Sequence, residues 1–374
     1  MKILIAGDFC PKDRVAKAIE SQSWDRILAP IENYTAKVDY SILNFECPIF
    51  ANGANPISKK GPNLSCSSNA IEVIKNAGFD CVTLANNHFR DFGDISCIET
   101  TRLLYENGID YLGGGKNIKE AQKVLCKTID NKTVAFVNFC ENEFSIAAEE
   151  HAGSAPLNLV DNYYQIQEAR QKADYVIVIV HGGHEYFQFP SPRMKKTYHW
   201  FVDLGADAVI NHHQHCYSGY EQYKGRPIFY GLGNFCFDWN GRRNSPWNEG
   251  YFVVLNIEKA IFFEVVPYTQ CNESATVDIM SKEQKTNFIK TINEINAIIA
   301  DDESLSGVVA NYYNECVHDC EIAMGNFSEN KYIRGLKRKH IISSQVSINK
   351  RNILSDFIFC ESHRDKVEHW LNKK

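Results

Sequence analysis

Metal-capable side chains stand just past an apolar, strand-like run at five places in the chain. Asp8 follows residues 3–6, Glu46 follows 41–44, Asn87 and His88 follow 82–85, His181 follows 176–180, and His212, His213 and His215 follow 208–210. One histidine after a strand is ordinarily a packed or hydrogen-bonded residue. The same chemistry repeated at successive strand ends points to one shared site. Two divalent cations held close together need a bridging carboxylate, a few neutral imidazoles and one or two further oxygen donors. Such a pair lowers the pKa of a coordinated water and polarises a phosphoryl group. Imidazole suits zinc, iron and manganese, while carboxylate and amide oxygens favour harder cations, so the mixed set fits a manganese, iron or zinc pair.

The elements that must position these residues are short apolar runs, many rich in β-branched residues, at 2–6, 40–44, 82–85, 133–138, 175–180, 208–211, 228–230, 251–257 and 261–267. They read as buried strands. Helical patterns lie between most of the early ones, at 68–77, 95–107, 163–173 and 193–204, and several close on a glycine, as at Gly78, Gly108 and Gly205. This alternation predicts an α/β architecture with helices covering sheet faces, and open α/β sheets place their sites at the carboxyl ends of strands. After about residue 267 the strands stop. Phe288, Ile292, Ile295 and Ile299 then fall on one helical stripe. A similar pattern at 304–324, a basic stretch at 331–340 and a last helix at 356–371 complete the chain. The expected organisation is an α/β domain over 1–268 and an α-helical C-terminal appendage over 269–374.

Across 374 residues, 44% hydrophobic, 12% aromatic and 23% charged residues describe a well-packed globule. A net charge of −6 gives no basic field for nucleic acid or anionic lipid, so an anionic substrate must be held by local charge or by metal. The 13 cysteines are scattered, and Cys81, Cys140 and Cys236 lie in apolar runs where a reduced thiol packs as a small hydrophobe. A reducing compartment fits best. The N-terminal run reaches Asp8 too soon for the apolar core of a secretory signal, and no run approaches about 18 uninterrupted apolar residues. The expectation is a cytoplasmic protein without an integral membrane segment.

The segments Ile5-Ala-Gly-Asp8, Asn44-Phe-Glu46, Leu84-Ala-Asn-Asn-His88, His181-Gly-Gly-His-Glu-Tyr186, His213-Gln-His215 and Tyr230-Gly-Leu-Gly-Asn-Phe235 resemble, in order and spacing, the poly-γ-glutamate capsule biosynthesis CapA family of the calcineurin-like metallophosphoesterase superfamily. The resemblance covers roughly residues 1–268. It implies a metallo-dependent phosphatase-like four-layer β-sandwich flanked by helices, and two divalent metal ions. Asp8 and His215 would bind one, Asn87, His181 and His213 the other, with Glu46 bridging. His88 would face the leaving group as general acid or charge stabiliser. That role needs a protonated imidazole, which Asp91 could support electrostatically. The function implied is a phosphoesterase acting on an anionic small molecule or polymer. The alternative is a part in capsule or polysaccharide synthesis, with partners from that process, where the metals act on an amide or only bind polymer.

The chain also departs from the family pattern. Where the wider superfamily has Asp-x-His, this chain has Asp8-Phe-Cys10, so the first metal loses an imidazole; Cys10 either replaces it as a thiolate or, the favoured reading, is a buried thiol beside a weaker first site. Gly182 stands where a bulky aromatic is frequent and is expected to widen the pocket. Glu185 is a candidate substrate contact, and His184 a weaker one. Arg242 and Arg243, in a loop with Trp239 and Trp247, suit sugars, carboxylates or phosphate. His212 favours a structural role, Asn234 either a turn or the site floor, and Lys59 and Lys60 a solvated loop ahead of a contact to an anionic substrate. Cys316, His318 and Cys320 follow from helical spacing without a metal.

Overall fold

The computed structural model describes residues 1–317, 320, 332, 336, 339 and 347–372. The basic stretch at 331–340 and the end of the 304–324 pattern, including His318, therefore lie largely outside the described residues. Every expected strand is present. The first sheet carries β1 (Lys2–Phe9), β2 (Tyr40–Phe45), β3 (Cys81–Thr83), β4 (Asp110–Leu112), β13 (Asn234–Cys236), β14 (Glu249–Ile257), β15 (Ile261–Gln270) and β16 (Val277–Ile279). Its order is β16-β15-β14-β1-β2-β3-β4, with β13 also paired to β1. The second sheet runs β11 (Tyr220–Tyr223), β12 (Arg226–Phe229), β10 (Ala208–His212), β9 (Tyr175–His181), β7 (Lys132–Cys140), β6 (Leu125–Ile129). A two-stranded ribbon joins β5 (Gly114–Gly115) to β8 (Gly153–Ser154).

β1 to β4 run parallel, as do β7, β9, β10 and β12, so both sheets present carboxyl ends of neighbouring strands together. Strand alternation then sorts the side chains of β1 into two cores. Ile3 and Ile5 join Ile42, Phe136, Ile177 and Val209 in one apolar cluster that spans both sheets. Leu4 and Ala6 join Val15 of α1 (Asp13–Glu20), Ile31 of α2 (Ala29–Thr35), Ile71 of α3 (Ala70–Asn76) and Leu104 of α4 (Gly93–Glu106). After α5 (Ile118–Ala121), the helices α6 (Leu159–Lys172) and α7 (Pro192–Asp203) pack Ile166 and Phe201 into the cluster of the second sheet. The result is the expected four layers, helices outside two facing sheets.

The C-terminal part differs from expectation in two ways. β16 is a strand beyond residue 268. The helix expected over 356–371 is two helices, α10 (Ile348–Phe359) and α11 (Glu361–Asn372), because Cys360 has an extended backbone at ψ 125° that breaks the hydrogen-bond ladder. Before them, α8 (Lys282–Ala300) starts from a Ser281–Gln284 capping box and α9 (Asp302–Glu315) from an Asp301 side-chain cap. The stripe Phe288, Ile292, Ile295 and Ile299 is buried in the same core as the second sheet. Among the described residues no helix is long and apolar enough to cross a membrane, and no cysteine is paired in a disulfide.

Candidate metal centre

The strand ends converge as the sequence pattern predicts. Asp8, fully buried at the end of β1, accepts hydrogen bonds from Asn44 Nδ2 at 2.7 Å and from the His213 amide at 3.2 Å. Gly7 makes this position possible: a Cβ there would lie 1.9 Å from the carbonyl oxygen of Gly233, where β13 pairs with β1. His213 and His215 both adopt left-handed backbone, at φ 92° and 57°. Each such residue stores roughly 1–3 kcal/mol of strain, a feature that clusters at functional sites. The bend is what brings both rings into the site.

Two groups of donors result. Glu46, His181 and His213 form one, and Asp8, Glu46 and His215 the other; within each, one ligand atom per residue lies within 4.8 Å of the rest. Asn87 Oδ1 lies beside the first group, 3.1 Å from His181 Nε2. Both oxygens of Glu46 are buried without a hydrogen-bond partner. Burial and the nearby Asp8 push its carboxyl well above the ordinary range. Burial likewise lowers His181 and His215, holding them as the neutral imidazoles that metals bind. His215 is oriented by Asn234 Oδ1, 2.9 Å from its Nδ1, which leaves Nε2 for a ligand. A buried carboxylate without counter-charge, set between neutral imidazoles, is a donor set that suits divalent metal.

Beside these groups lies a cavity of about 150 Å³ lined by Lys59, His88, Glu143 and Glu185, among others. His88 Nδ1 lies 2.6 Å from Asp91 Oδ2, as the spacing suggested. The protonated imidazole that was expected there is not what the surroundings favour. Burial, and then the Lys59 ammonium, hold His88 down at about 4, outweighing Asp91. A neutral His88 donates Nδ1–H to Asp91 and keeps Nε2 as an acceptor. Lys59 itself corrects the solvated-loop reading: its side chain is 2% exposed and ion-paired to Asp91. Asp91 also accepts from the Leu64 amide at 2.7 Å, so it positions the lysine, the histidine and the loop together.

This arrangement carries a prediction. Asp91→Asn keeps an acceptor for Leu64 but strands a buried lysine, which should cost on the order of 3–5 kcal/mol. The double variant Lys59→Met, Asp91→Asn should recover most of that loss in chemical denaturation. Equal stability of wild type and Asp91→Asn would refute the buried pair.

The remaining candidates separate clearly. Glu185 lines the cavity beside the donor groups. His184 donates to or accepts from Tyr313 Oη at 2.9 Å and packs against Tyr312, so it anchors α9. His212 is buried, with Nδ1 3.6 Å from Asp8 and neither ring nitrogen hydrogen-bonded. Arg242 stacks 4.0 Å over the ring of Tyr186, which neighbours His215, whereas Arg243 turns to Asp238 at 3.3 Å. Gly182 does not open the pocket. A Cβ there would meet Glu141 Cγ at 2.6 Å, so the glycine admits the Glu141 carboxylate instead. Cys10 belongs to the apolar cluster under the first sheet and to neither donor group. Cys320 is buried with Phe357 and Val367.

Glu143 was missed. Its Oε2 accepts from Asn87 at 3.2 Å, its Oε1 lies 3.6 Å from His213 Nε2, and burial followed by Asp356 pushes it up to about 7. The signal was available, because Glu143 stands just past the strand run at 133–138 as the other site residues stand past theirs.

Comparison with known proteins agrees with the sequence motifs. The chain is 31% identical over 66% of its length to the capsule biosynthesis protein CapA of Bacillus anthracis, and 30% identical over 64% to the PGA biosynthesis protein CapA of Bacillus subtilis (strain 168). The matched regions span 62% and 64% of those relatives. Among solved structures, a novel phosphatase of Mycoplasma pneumoniae aligns over 78% of this chain and 98% of its own at 15% identity and a TM-score of 0.45. The 5'-nucleotidase precursor of Thermus thermophilus aligns over 80% and 59% at 9% identity and a TM-score of 0.44. Likeness at that level says nothing of activity. The family described as bacterial capsule synthesis protein PGA_cap matches residues 2–239, more than half of the sequence, and the chain belongs to that family.

Proposed function

We propose that the chain is a dinuclear metal-dependent phosphoesterase acting on an anionic small molecule or polymer. The observation that carries this reading is Glu46, which has two buried, unpartnered oxygens and belongs to both donor groups. Asp8 and His215 would hold one ion with Glu46, and His181, His213 and Asn87 the other. Manganese, iron or zinc suits these donors. When bound, the pair supplies Lewis-acid polarisation of the phosphoryl group and activation of water. The protein's own groups do the rest. Lys59 holds a positive charge beside the cavity for the departing oxygen. His88 Nε2 accepts a proton or hydrogen bond, with Asp91 fixing its tautomer. Glu185 and Arg242 flank the His215 side, and Arg243 braces the loop that carries Arg242.

The biological setting we infer is synthesis of a capsule polymer such as poly-γ-glutamate, as the relatives' names indicate. The free thiols support a reducing compartment. In that setting a second reading is that the metal site acts on an amide or only binds polymer. Manganese-loaded protein should hydrolyse p-nitrophenyl phosphate or its bis ester. Two bound ions with no turnover of either ester, but cleavage of a γ-glutamyl amide, would favour the second reading.

A further inference from the structure

The cavity beside the metal centre is not built by the family-matched region alone. That match ends at residue 239, yet Asp356 of α10 and His363 of α11 line the cavity together with Lys59, Lys60, His88 and Glu185. Asp356 is the pivot. Its side chain is 2% exposed, and its two oxygens each lie 3.1 Å from a nitrogen, Lys60 Nζ on one side and His363 Nδ1 on the other. Lys60 keeps 45% of its side chain exposed and His363 keeps 23%. Two nitrogen groups thus meet at one buried carboxylate, and both residues line the cavity while keeping part of their side chains exposed.

The helical pair is fastened where such a role needs it. Glu361 accepts from the Asn142 amide at 2.8 Å and from its side chain at 2.6 Å. Arg193 bridges Glu141 at 2.8 Å and Asp365 at 2.9 Å. Asn352 Nδ2 donates to Ser58 Oγ at 2.9 Å, next to the lysines. These contacts tie α10 and α11 to the 141–143 loop, whose Glu143 touches Asn87, and to the loop carrying Lys59 and Lys60. The break at Cys360 lets both helices present a residue to one cavity.

We propose that Lys60 and His363 form a subsite for a second anionic group of the substrate, a carboxylate or phosphate beyond the phosphoryl centre, and that Asp356 is the residue that positions both. The C-terminal helices thereby determine specificity at a site whose chemistry belongs to the first 268 residues. This deepens the phosphoesterase reading, which supplies the choice of probe.

The test is calorimetric binding of benzylphosphonate, its 4-carboxy derivative and its 4-phosphonomethyl derivative to the full chain loaded with manganese. None of the three can be hydrolysed, so the result does not depend on turnover. The wild type should bind at least one derivative with a second anionic group roughly fivefold or more tighter than the parent, as charge-assisted contacts allow. Which derivative gains identifies the carboxylate or the phosphate. Lys60→Met and Asp356→Asn should abolish the gain while parent affinity and metal content stay unchanged. Lys60→Met leaves the Glu361 and Asp365 contacts intact, so it decides the matter if Asp356→Asn releases the helices. Equal affinities for all three probes in the wild type, or a gain that survives Lys60→Met, would overturn the subsite and leave the phosphoesterase reading standing. No binding of any probe would overturn both. A gain lost in the variants, in a protein that hydrolyses no ester, would keep the subsite and reject the reaction.

Discussion

A Glu46→Gln chain is expected to retain at most one divalent ion and to lose phosphoesterase turnover by ~10³-fold or more. Metal Lewis acidity contributes several kcal/mol to such reactions, and each 1.36 kcal/mol or so is a factor of ten in rate. The amide preserves the shape of the side chain but removes the charge and one of the two acceptor oxygens now left without a partner. A second readout has the opposite sign. In protein stripped with chelator, Glu46→Gln should raise stability by on the order of 1 kcal/mol, because it removes a buried carboxyl that burial and Asp8 both disfavour as an anion. In metal-loaded protein the same change should lower stability, since bound ligand stabilises only the folded state. Calorimetric melting in both conditions checks this. A residue that only packed the core would shift both forms alike, and that result would count against a bridging role.

Replacing the imidazoles one at a time should remove the ions one at a time. His213→Ala is expected to lose the ion held with His181 and Glu46, and His215→Ala the one held with Asp8 and Glu46. Each should weaken its own ion by ~10²-fold or more, beyond what loss of an outer partner costs. The two ions should also differ in the wild type. One donor group offers two imidazoles and the other only one, because Cys10 is packed in the core beneath the first sheet. Chelator titration should therefore release the His215 ion first, and His215→Ala should erase that first step while His213→Ala erases the second. Simultaneous loss of both ions from either variant would contradict two separable sites.

Much of this centre was legible because buried parallel strands read as apolar runs and their polar ends mark one edge of a sheet. The convergence of Asp8, Glu46, Asn87, His181, His213 and His215 on one place followed from that pattern and from motif order. Short or polar elements did not. β4 has three residues, β6 and β11 are half-exposed edge strands, and β13 sits next to Gly233 with only three residues of its own. The turn of Lys59 into the site could not be read locally, since its partner Asp91 lies in another segment. Still less could the 296-residue separation between Lys60 and Asp356. The protonation of His88 depends on burial and on Lys59, which together outweigh the neighbouring Asp91 that the sequence spacing made visible. The left-handed turns at His213 and His215 are imposed by the tertiary fold, for neither residue type demands them.

On the proposed function, two divalent ions share Glu46, and anomalous diffraction from crystals of the manganese-loaded chain would locate them. Two peaks are expected, one among Glu46, His181 and His213 and one among Asp8, Glu46 and His215, and both should weaken or vanish in Glu46→Gln crystals. No peak within coordination distance of Glu46 in protein that carries manganese would contradict the account.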